Sequence, residues 1–127
     1  MPTSKQHLEQ AKAFYSTTQA QPLTAHPARV VFLHLTGLHL IDTRLAQHVP
    51  PIHPEDHRER NDLLRTRPTS FHGVPRKAVE AYVELLRRAH EVRYECPTAY
   101  RLERLHREAL EDFEELKDEL ERVGVVL

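Results

Sequence analysis

The sequence predicts an all-α, single-domain bundle of four to five helices that ends in a long C-terminal helix. Three observations carry this prediction. Apolar residues recur at spacings of three and four in each long segment. The nine prolines fall at or between the ends of those segments. A composition of 39% apolar and 29% charged residues suits amphipathic helices with wide wet faces better than a sheet covered on both sides. At 127 residues the chain is long enough to bury one core without disulfides, so residues 1–127 are expected to form one domain.

The first helix is expected from Ser4, a good N-cap, to about Thr18, with Leu8, Ala11, Phe14 and Tyr15 on one stripe. Pro27 opens the second, because the amide proton it lacks would be unpaired there in any residue. That helix runs to about Gln47 and is apolar nearly all round, from Val30 to Leu45, which places it at the centre of the bundle. Pro50, Pro51 and Pro54 interrupt the chain, and a short third helix spans Pro54 to about Arg65, with Glu55 and Asp56 at its positive end. After a loop to Gly73, Pro75 starts a fourth helix that reaches Tyr94, with Val79, Tyr82, Val83, Leu86 and Ala89 inward. Thr98 caps the last helix, whose seam of Ala109, Phe113, Leu116, Leu120 and Val123 suits either an internal face or a dimer surface.

Composition also excludes several functions. Cys96 is the single cysteine, so no intramolecular disulfide and no cysteine-rich zinc site can form. Three scattered glycines cannot build a phosphate-cradling loop, and there is no His-Glu-x-x-His. The longest purely apolar run is four residues, Val30 to Leu33, and the first ten residues lack the apolar core of a signal peptide. A cytoplasmic protein with no membrane contact is expected. Residues 1–110 hold 16 Lys/Arg against 12 Asp/Glu and residues 111–127 hold 2 against 7, giving a mildly basic body and an acidic tail.

The chemistry-bearing candidates are histidines and arginines. His39 and Asp42 are three apart on the second helix and share a face, as an oriented base pair or as two polar groups satisfying each other. His57 and Arg60 are expected to share a face of the third helix. A base beside a guanidinium is the minimum equipment for metal-free RNA cleavage. Arg93 and Tyr94, at the end of the fourth helix, either complete that site or clamp the helix terminus. A metal reading would join His53 and His57 to His39 and Asp42. His53 precedes Pro54 and falls outside the helix, so no helical ligand pair results, and no metal or other cofactor is expected.

Several segments together resemble the HEPN-like superfamily of small helical proteins. They are His7-Leu8-Glu9-Gln10-Ala11-Lys12-Ala13-Phe14, Leu38-His39-Leu40-Ile41-Asp42, His53-Pro54-x-x-His57-x-x-Arg60, and Ala81-Tyr82-x-x-Leu85-Leu86 leading to Val92-Arg93-Tyr94-Glu95. The resemblance implies a homodimeric bundle, a metal-independent ribonuclease or toxin-type effector of a toxin–antitoxin or defence system, RNA as substrate and a nucleotidyltransferase-type partner. It carries His39, Asp42, His57, Arg60, Arg93 and Tyr94 as site positions. The chain departs from the usual arginine-to-histidine spacing of such ribonucleases. Arg29-x4-His34, Arg67-x4-His72 and Arg101-x4-His106 match that spacing, but they lie in the core helix, a proline-containing loop and the last helix. The alternative is a non-catalytic helical module that binds another protein or a nucleotide.

Overall fold

A computed structural model describes all 127 residues as six helices and no strand. α1 spans Ser4–Ala20, α2 His26–Ala46, α3 His57–Thr66, α4 Thr69–His72, α5 Arg76–Tyr94 and α6 Ala99–Glu121. The helix beyond the expected four to five is α4, one turn in the segment read as loop. The N-cap of α1 is Thr3, not Ser4. Its hydroxyl accepts from the Gln6 amide while the Gln6 side chain accepts from the Thr3 amide, a reciprocal capping box. Asp56 and Thr98 cap α3 and α6 through the Glu59 and Arg101 amides.

Four long helices build the core, and α2 lies in their midst, packed against α1, α5 and α6. Val30, Leu33, Leu40, Ile41 and Leu45 are each no more than 1% exposed, as the all-round apolar pattern requires. Burying one such side chain stabilises the fold by roughly 1.5–3 kcal/mol. Gly37 lets the helices approach. A Cβ there would stand 2.8 Å from Leu116 Cδ2 and 3.3 Å from Leu85 Cδ1, so α5 and α6 close over a position where a side chain would intrude.

The seam of α6 is internal. Ala109, Phe113, Leu116 and Leu120 are at most 1% exposed, and Phe113 meets the Tyr15 ring of α1 with centroids 5.4 Å apart. A dimer through that seam is thereby excluded. On the wet side of α6, Arg104 pairs with Glu108 at 2.9 Å and Arg122 with Glu119 at 2.7 Å.

Two arginines of α2 fasten segments outside the core. Arg29 donates from Nη1 to the carbonyls of Thr18 and Gln21 at 2.8 and 3.1 Å, and from Nε to His106 Nε2 of α6 at 2.9 Å. It thereby satisfies the end of α1, which has no basic residue of its own in the last turn. Arg44 donates to the carbonyl of Gly73 at 2.8 Å. Gly73 ends α4 in the left-handed region at φ +79, where a side chain would be strained. His72 completes this corner, its Nδ1 accepting from the Val74 amide and its Nε2 donating to the Arg67 carbonyl.

Candidate functional site

The polar groups of α2, α3 and α5 converge on one side of the bundle. Their anchor is an ion pair between Asp42 and Arg60. Arg60 Nε donates to Oδ1 at 2.7 Å and Nη2 to Oδ2 at 2.8 Å, with side chains only 6% and 7% exposed for Asp42 and Arg60. Burial opposes the Arg60 charge, but the carboxylate more than offsets it and holds the guanidinium above its ordinary value.

This pairing corrects two expectations. Asp42 serves Arg60 and makes no hydrogen bond to His39, and Arg60 faces inward while His57, three residues earlier, is exposed. His57 is the first residue of α3 and lies at the solvent edge, near enough for the Arg60 charge to be felt there.

Behind Arg60 lie two groups that sequence pattern places only on the inner face of the fourth helix and in the core helix, Tyr82 and His34. Tyr82 is completely buried, and its hydroxyl stands close to the Arg60 guanidinium without closing a hydrogen bond to it. Burial pushes that phenol up to about 12, so it stays protonated. His34 is 1% exposed, its ring 5.8 Å from Tyr82 on one side and 5.9 Å from His57 on the other, and neither ring nitrogen has a partner within the chain. Burial, then the charges of His57, Arg93 and Arg60, lowers it to about 4, which leaves a neutral imidazole.

The rim of this cluster is formed by His57 and Arg93. Burial, then the Arg60 and Arg93 charges, holds His57 below the usual imidazole value. Arg93 is exposed, pairs with no carboxylate and lies over the Tyr94 ring at 5.6 Å. Tyr94 itself turns outward, 65% exposed, with its ring tilted against that of His90 at 4.9 Å, so it stands apart from the cluster.

On the opposite flank of Asp42, His39 meets α1. Its Nδ1 lies 3.2 Å from Nδ1 of His7, and its ring stacks on Phe14 at 5.6 Å. Burial lowers both imidazoles, and Asp42 only partly restores them. One nitrogen from each histidine and one Asp42 oxygen lie within 4.8 Å of one another. The histidine joined to His39 and Asp42 is therefore His7, while His53 and His57 lie outside the set. His7 was legible only as part of the first helix, because nothing in the sequence says which of ten histidines faces a helix 32 residues away.

The larger clefts avoid this rim. One, about 630 Å³, lies between α3, α4 and α5 and is lined by Arg65, Arg67, Arg76 and His72 with Glu80 and Glu84. None of the expected site residues borders it. No helix is long and apolar enough to cross a membrane. Comparison of the chain with protein-family models, curated proteins and solved structures gave no match. The functional reading therefore rests on residue chemistry and geometry.

Proposed function

We propose that the chain is a HEPN-like, metal-independent ribonuclease in which His57 is the general base and Arg93 the phosphate ligand. The observation that carries this is an exposed imidazole held below its usual pKa beside a guanidinium that no carboxylate claims. Neutral at pH 7, His57 takes the proton of a ribose 2′-hydroxyl. The 2′-oxygen then bonds to phosphorus, the bond from phosphorus to the 5′-oxygen breaks, and that oxygen takes a proton from water. Arg93 neutralises the charge that gathers on the phosphoryl oxygens.

Arg60 and Asp42 act here as positioning residues, since their charges are paired with each other. His39 serves the opposite flank and Tyr94 the outer surface. A homodimer would bring two such rims to one substrate, and a toxin-type effector would meet a nucleotidyltransferase-type antitoxin as its partner. The test is RNA cleavage in EDTA. His57→Ala and Arg93→Ala are each expected to lose about 100-fold or more, with unchanged circular dichroism. Equal rates in wild type and both variants, or no cleavage of single-stranded or structured RNA by any of them, would refute the assignment.

A second reading is a nucleotide-binding module, favoured by the three arginines that line the 630 Å³ cleft. Calorimetric titration with nucleoside triphosphates decides it: binding lost in Arg67→Ala and kept in His57→Ala supports this reading and not the first.

A further inference from the structure

We infer that His7, His39 and Asp42 form a binding site for one zinc-class divalent cation, set where α1 crosses α2. It is independent of the cleavage reading, which uses neither His7 nor a metal.

The two histidines are spaced as zinc ligands are. Two nitrogens each about 2.0–2.1 Å from a tetrahedral zinc ion stand roughly 3.3 Å apart, and the two Nδ1 atoms are 3.2 Å apart. Without a cation, one ring must donate to the other. A cation held between the rings would instead take a lone pair from each Nδ1. One Asp42 oxygen lies within 4.8 Å of a nitrogen of each ring, so it borders the place a shared cation would occupy.

The ligands are also supported from behind. Asp42 is fixed by the two Arg60 hydrogen bonds, each of which uses one lone pair of an oxygen and leaves another free. His39 is fixed by its stack on Phe14. Arg60 would repel a cation, but its charge is already paired with the Asp42 carboxylate at 2.7 Å, which weakens that repulsion.

The site is accessible as well. A cleft of about 640 Å³, lined by Gln6, His7, Gln10, Phe14 and His39, opens this corner to solvent, which provides an entry path and an open coordination position. His53 is near enough for its charge to be felt at His7, and its Nδ1 is buried with no partner in the chain. Two imidazoles and one carboxylate select borderline divalent ions such as Zn²⁺, Co²⁺ and Ni²⁺ over Mg²⁺ or Ca²⁺.

The experiment is titration of the tag-free, chelator-treated full chain with Co²⁺, read by visible ligand-field absorption, followed by displacement with Zn²⁺. One equivalent per chain is expected, with affinity reduced at least tenfold in His7→Ala and in His39→Ala, and unchanged in His48→Ala and His90→Ala. His7 sits at the edge of α1, and His7→Gln tests the same ligand while keeping a polar side chain of similar reach. Absence of saturable binding, or binding that survives both His7 substitutions, would overturn the site. Cleavage of RNA in EDTA neither supports nor opposes it.

Discussion

The molecule has two polar seams, and they are built on opposite terms. Between α5 and α6, Arg88 donates to Asp112 at 2.7 Å and to Glu108, and lies 3.5 Å from Glu84, while Arg101 makes a two-pronged pair with Glu91 at 2.7 and 2.8 Å. Between α2, α3 and α5, one ion pair is surrounded by imidazoles and a phenol that have few partners. The buried side-chain atoms without a hydrogen bond are His34 Nδ1 and Nε2, His53 Nδ1, Asn61 Oδ1 and Tyr82 Oη, and all of them lie on the second seam or the loop that leads into it. Buried polar groups normally find partners, and an unpaired one costs roughly 1–3 kcal/mol. The unpartnered groups thus gather on one seam, whereas the α5–α6 seam is laced by ion pairs that hold two helices together.

The comparison breaks most visibly at Asp42 and Arg60. Removing one partner strands a buried charge, so Asp42→Ala or Arg60→Ala is expected to lose about 3–5 kcal/mol in denaturant unfolding. A double replacement by leucine is expected to recover most of that loss, because it removes both charges together. If either single variant is as stable as wild type, the pair does not anchor the seam.

Next in size is acid sensitivity at His34. In the unfolded chain its imidazole titrates near 6.5 and in the folded chain at about 4, so between these values the unfolded state binds the extra proton. Its contribution to stability is therefore intact above pH 6.5 and falls by about 3 kcal/mol as pH drops to 4. Chemical melts from pH 7 to 4 should show this slope in wild type and a shallower one in His34→Phe. His7, His39, His57, His72 and His106 shift in the same direction and leave a residual slope in the variant.

The smallest effects are expected on the α5–α6 seam. Arg88→Ala leaves Asp112 and Glu108 partly solvated, with side chains 17% and 24% exposed, so a loss of about 1–2 kcal/mol is expected. Arg101→Ala should be barely measurable and should vanish in high salt. An Arg88→Ala variant as unstable as Arg60→Ala would erase the distinction between the seams.

Much of the fold was legible because proline placement and apolar periodicity are local properties. Pro27, Pro75 and Cys96-Pro97 mark helix ends within a residue or two, and the all-round apolar pattern of α2 does place it centrally. The one-turn α4 was missed because His72 and Arg44 hold it through contacts outside its own four residues. The site was legible by residue type and not by partner. Asp42 was expected to serve His39, three residues away, but its carboxylate is taken by Arg60, eighteen residues on. His34 and Tyr82 read as a chance spacing and a core stripe, since no local signal says that a histidine in an apolar helix will be left without a hydrogen bond.

Arg29 sets an order of events. The pairs α1–α2 and α5–α6 are each joined by a few residues, so each can close as a local hairpin at small entropic expense. The bond from Arg29 to His106 spans 77 residues and exists only after the hairpins have docked. A bond of such sequence separation is expected to form late, and it then slows unfolding more than it speeds folding. A single guanidinium that seals the end of α1 thus also acts as a kinetic lock, and because His106 must offer a lone pair to it, protonation of that ring opens the lock.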